Sequence, residues 1–141
     1  KNYVEKSGLN NFLFLPFQSY ALVPQIYASS DLNLVMLSSS LKNDAIPSKV
    51  YRIMACKRAV LAIAPLSSGL AGLIREANCG FIVSPEDEIG LAKIIHWSYE
   101  NKEKLSLFSE SGRKYILEHY TRETITRKYK HLIDLSVIDK E

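Results

Sequence analysis

Short unbroken apolar runs alternate along this chain with longer stretches whose apolar residues recur three and four positions apart. The unbroken runs are Phe12-Leu13-Phe14-Leu15, Ala59-Val60-Leu61-Ala62-Ile63-Ala64 and Phe81-Ile82-Val83, and Leu32 to Leu37 is apolar except for Asn33. Runs of this length without polar alternation predict strands covered on both faces, and Pro16 and Pro65 end two of them.

The stretches between them predict helices. Lys1 to Gly8 reads as the tail of one, stopped by Gly8. Gln18 to Ser30 holds a short helix burying Leu22, Ile26 and Tyr27, with Pro24 in its first turn. After a long polar loop from Ser38 to Asp44, Ser48 caps a helix whose stripe is Val50, Ile53 and Met54. Lys57-Arg58 closes it at the negative end of its dipole. Ser67 or Ser68 caps the next, which carries Leu70, Leu73 and Ile74 and stops at Asn78-Cys79-Gly80. Ser84-Pro85-Glu86-Asp87 is a helix entry, followed by Leu91, Ile94, Ile95 and Tyr99 on one face. A helix from Lys102 to His119 buries Leu105, Phe108, Tyr115 and Ile116. Thr121 caps a last one with the stripe Ile125, Tyr129, Leu132 and Ile133.

Strands separated by helices imply parallel pairing through crossovers, hence an α/β, Rossmann-like, doubly wound sheet in one domain spanning 1–141. Ligands on such sheets sit beyond the carboxyl ends of the strands. Phe17, the loop from Ser38 to Ser48 and the loop from Pro65 to Gly69 fall on that edge.

The junction from Asp44 to Lys49 combines two attractions for an anion. The first-turn amides point outward, and Lys49 adds a full positive charge one residue inside the helix. The bland reading of the same residues is a capping serine and a solvated lysine.

A chain of 141 residues with 47% hydrophobic and 23% charged residues is an ordinary globular domain. No apolar run approaches the ~20 residues of a bilayer span, and the charged start does not read as a signal peptide, so the expected location is cytoplasmic. Cys56 and Cys79 lack metal-ligand spacing and read as small reduced hydrophobes. Charge is uneven: from Arg113 to His131 six Lys or Arg face two Glu, a surplus above the +3 of the whole chain. That cluster suits a solvated helix face, a partner domain, or peripheral contact with an anionic membrane.

The wording PSK-x-Y-x-I-M-A-C-x-R-x-V-L-A from Pro47, preceded by FLPFQ-x-Y and Y-A-S-S-D-L-x-L-V and followed by L-x-R-E-A-x-C-G, resembles the C-terminal lobe of GT-B glycosyltransferases. The likeness is to the retaining family-four group, in its bacterial polysaccharide branch, and runs from about Asn11 to Leu132 in the family's order.

The resemblance implies a lobe that binds a nucleoside diphosphate sugar of UDP or GDP type, with no other cofactor. It places Phe17 and Tyr20 at the base and Ala45, Ile46, Pro47, Ser48 and Lys49 at the diphosphate and sugar hydroxyls. The family's two signature glutamates fall at Asp44 and Arg52. Asp44 keeps a carboxylate on a shorter arm, whereas a guanidinium at Arg52 only donates and cannot accept from a ribose diol. Arg52 therefore reaches a phosphate, or binding is weakened. The resemblance also implies that the lobe's first strand and glycine-rich turn, and an N-terminal acceptor-binding lobe, lie upstream. This chain is then an incomplete donor lobe, inactive alone.

The rival reading is a degenerate lobe that only docks another protein. A dinucleotide oxidoreductase is disfavoured because no GxGxxG follows any predicted strand. His96, His119 and His131 lie on predicted late helices without a nucleophile motif, and no carboxylate pair is spaced to chelate a metal.

Overall fold

The structure, a computed structural model, describes residues 1–37 and 46–138. Three strands, β1 (Leu32–Met36), β2 (Ala59–Ile63) and β3 (Gly80–Val83), form one parallel sheet in chain order. Leu32 stands opposite Ala59, and Val60 opposite Gly80. The helices are α1 (Asn2–Lys6), α2 (Val23–Ala28), α3 (Lys49–Ala55), α4 (Gly69–Glu76), α5 (Glu88–Glu100), α6 (Lys102–His119) and α7 (Arg122–Ile138), with a 3-10 turn at Tyr20–Leu22. The chain is thus α/β and Rossmann-like.

The alternation of a strand decides which side chains face which layer. Val35, Val60, Ala62 and Ala64 join Val50, Ile53 and Met54 of α3 and Leu70, Leu73 and Ile74 of α4 in one buried cluster, which Ile116 of α6 closes. On the other face Phe81 packs edge-on against Trp97 of α5 and Phe108 of α6, with ring centroids 5.4 and 4.9 Å apart. Two glycines permit close approaches elsewhere in the core. A Cβ on Gly112 would lie 2.8 Å from Cys79 Cβ, and one on Gly80, where φ is +156°, would lie 1.8 Å from Val60 O.

Lys57 ends α3 in the left-handed conformation (φ 58°), which lets Arg58 N reach Ile53 O at 3.3 Å. The Arg58 guanidinium then donates twice to Ala28 O, at 2.9 and 2.6 Å, fastening α2 beside α3.

Several expectations are corrected. Phe12 to Leu15 forms no strand and is exposed, because no neighbouring strand supplies hydrogen bonds to it among the described residues. Leu22 and Ile26 are exposed although α2 forms, with Pro24 in its first turn as expected. Pro85 stays outside α5, and Asp87 caps that helix by accepting from Gly90 N at 2.8 Å. The buried face of α5 passes through Ser98, leaving Ile95 and Tyr99 exposed. Thr121 does cap α7, accepting from Thr124 N at 3.1 Å, yet Tyr129, Leu132 and Ile133 are exposed. Asp44, Ala45 and the loop from Ser38 lie outside the described residues.

Candidate functional site

In a parallel βαβ unit the helix runs back against the strands, so α3 starts at their carboxyl edge. Ile46 packs against the core, Pro47 O accepts from Val50 N at 3.0 Å, and Lys49 opens the helix half-exposed. The expected side-chain cap at Ser48 is absent: the residue is already helical (φ −58°, ψ −22°), and its hydroxyl makes no capping bond. A capping hydroxyl needs extended backbone. Ser68 has it (ψ 153°) and accepts from Ala71 N at 3.2 Å. The turn therefore presents an exposed Ser48 hydroxyl beside the Lys49 ammonium, for which no carboxylate partner is found among the described residues. With only 7 residues α3 carries a small dipole, so Lys49 is the main charge here.

One flank of α3 is anchored by tyrosines. The Tyr51 ring lies 4.8 Å from that of Tyr120, which lies 5.9 Å from Tyr115. Burial, then the neighbouring Tyr120 phenol, pushes the Tyr51 phenol up to about 12. Burial and a hydrogen bond with Glu76 likewise raise Tyr115. Sequence reading missed this cluster, because Tyr120 falls in the break between α6 and α7 and belongs to no helical stripe. Arg113 of α6 adds a hydrogen bond to Ala55 O at the far end of α3.

The other flank brings two of the expected residues together. Arg52 Cζ lies over the Tyr20 ring, 5.1 Å from its centroid, and both line a cavity of about 280 Å3 with Val23, Pro24, Tyr27 and Cys56. Phe17 stands apart, its ring fully exposed. On the sheet's second face, a cleft of about 310 Å3 at the strand ends Met36, Ile63 and Val83 is bordered by Glu86, Asp87 and Glu88. That border repels phosphate, whereas the described residues on the other side of the carboxyl edge include the cation Lys49.

Residues 1–115 match the family model of glycosyl transferases group 1. The chain belongs to that family. The match takes in every candidate above and ends before α7. Among solved structures, sucrose-phosphate synthase from Thermosynechococcus elongatus superposes on 98% of this chain with a TM-score of 0.77 and 17% identity. That likeness is one of fold, the GT-B type, and this glycosyltransferase-family chain spans 33% of that structure's length. No curated protein sequence matches the chain.

Proposed function

We propose that the chain is the donor-binding part of a retaining glycosyltransferase, which moves a sugar from a nucleoside diphosphate sugar of UDP or GDP type to a polysaccharide or glycolipid acceptor. The observation that carries this reading is the Lys49 ammonium at the carboxyl edge of the sheet, in a chain of the group 1 family. Negative charge grows on the departing diphosphate during transfer. A cation and helix-start amides already aimed at it stabilise that charge without reorganising. In this reading Ile46 and Pro47 shape the turn, while Ser48 and Lys49 contact the phosphates, with Asp44 and Ala45 leading in. The base lies on the open face of Tyr20, braced from behind by Arg52, and Phe17 shields its rim.

The acceptor is held by an N-terminal lobe of the same polypeptide, and the basic face around α7 rests on an anionic membrane. Arg52, which cannot accept from a ribose, is the one feature favouring the docking-module alternative. Calorimetry on the full-length polypeptide separates the two. Heat on addition of UDP or GDP, reduced by Lys49→Ala, is the expected result; no heat with any nucleoside diphosphate would leave docking as the function.

A further inference from the structure

With only 7 residues, α3 is too short to hold its own direction, so the elements packed against it decide where its first turn points. Buried Val50, Ile53 and Met54 set its depth in the core, and Arg113 fastens its last turn through Ala55 O. Rotation about the helix axis is a separate freedom. Lys49 and Tyr51 leave α3 about 200° apart, on opposite flanks, so a roll that lets Tyr51 move carries Lys49 with it. Side chains reach roughly 5–6 Å from the axis, where a roll of about 10° shifts a charged tip by about 1 Å.

What opposes the roll is Tyr120, whose ring lies 4.8 Å from that of Tyr51. Tyr120 is itself tied to a rigid element. Its N–H donates to Ile116 O at 2.9 Å and closes α6, and its ring lies 5.9 Å from Tyr115, which packs on the core. The three rings make one row from α6 to α3. Tyr120 is 39% exposed, so filling the core does not account for it. It also lies beyond residue 115, where the match to the family model ends. The Tyr51 phenol, pushed up to about 12 chiefly by burial, stays uncharged at neutral pH and puts no anion on the helix that offers Lys49.

We propose that Tyr120 is a positioning residue for diphosphate binding: seated on the end of α6, its ring holds Tyr51, stops α3 from rolling, and so keeps the Lys49 ammonium where the donor phosphates lie. The inference rests on the reading of Lys49 above. Tyr120 acts through Tyr51 and the helix, without a contact of its own to the ligand. Misplacement of a binding group by about 1 Å is enough to lose most of what its geometry supplies.

Titration calorimetry with UDP and GDP on the full-length polypeptide tests this, with Tyr120→Ala and Tyr120→Phe each made with and without Lys49→Ala. Tyr120→Ala is expected to weaken binding by about fivefold or more, and Tyr120→Phe, which keeps the ring, to hold affinity within about twofold of the unsubstituted protein. In the Lys49→Ala background, Tyr120→Ala should cost less than about twofold more, because no ammonium is left to misplace. Equal affinity in Tyr120→Ala and the unsubstituted protein, or a loss of the same size in the Lys49→Ala background, would overturn the inference while leaving the donor reading in place. Should Tyr120→Ala fail to fold, Tyr120→Leu takes its place with the same expectations. Lys49→Ala without effect on its own would instead fail the reading above and take this inference with it.

Discussion

Arg52 and Tyr20, thirty-two residues apart in sequence, meet face to cation with the guanidinium carbon 5.1 Å from the ring centre. The pair ties the 3-10 turn before α2 to the flank of α3 at Arg52, one helical turn from Lys49 along that helix, and fixes the ring there. An exposed cation–π contact contributes only ~0.5–1 kcal/mol to stability. Its consequence for a ligand is larger, because a ring already held in place loses less freedom when a base stacks on it.

The first prediction concerns that ring. Tyr20→Ala in the full-length polypeptide removes a base-stacking surface worth ~1–3 kcal/mol and weakens UDP or GDP binding by about fivefold or more in calorimetry. Arg52→Glu frees the ring and weakens binding in the same direction. Tighter binding by Arg52→Glu would show instead that a carboxylate at this position reaches the ribose.

Packing of α6 on the core supplies the second. Gly112 leaves no room for a methyl, since an added Cβ would stand 2.8 Å from Cys79 and 3.4 Å from Met54. Gly112→Ala should therefore lower the unfolding free energy by ~1–3 kcal/mol despite alanine's better helix propensity, as read from urea midpoints. No loss of stability would mean that α6 sits further from α3 than described.

Alkali should loosen the fold in a defined window. Burial pushes the Cys79 thiol from 9.0 up to about 12, and the Tyr51 phenol from 10.0 to about 12. Both groups stay protonated longer in the folded state, so above their ordinary values the unfolded chain binds fewer protons and stability falls as pH rises. The contribution is complete below pH 9 and lost on approaching pH 12. Urea unfolding across this range checks it, with Cys79→Ala expected to flatten the early part of the fall.

How much was legible in the sequence depended on whether the information was local. Strands β2 and β3 were readable because both faces are covered by helices the same sequence provides. Phe12 to Leu15 has the same apolar signature but no strand to pair with among the described residues, and composition does not report a neighbour. Ser48 and Ser68 precede helices alike, and only the backbone angle separates the one that caps from the one that leaves its hydroxyl free. Along α5, Leu91 and Ile94 are half-buried on the expected face, but that face continues through buried Ser98 and leaves Ile95 and Tyr99 exposed, because a stripe read from apolar residues alone passes over a serine. The position of Lys49 at the start of α3 was legible from spacing alone. The Tyr51–Tyr120 contact was not, because it joins residues that are distant in sequence.

The basic surplus from Arg113 to His131 gives a further prediction. No described helix is long and apolar enough to cross a membrane, so attachment would be peripheral. Sedimentation of the full-length polypeptide with liposomes should rise with anionic lipid and fall with salt. Identical partitioning with neutral lipid would remove the membrane from the account.

If the turn into α3 holds the diphosphate of an activated sugar, titration calorimetry with UDP and GDP on the full-length polypeptide will separate the unsubstituted protein from Lys49→Ala. A charge-assisted contact to phosphate is worth ~1.5–3 kcal/mol, so Lys49→Ala should weaken binding by about tenfold or more while the urea midpoint stays unchanged. Equal affinity in the two proteins would contradict it.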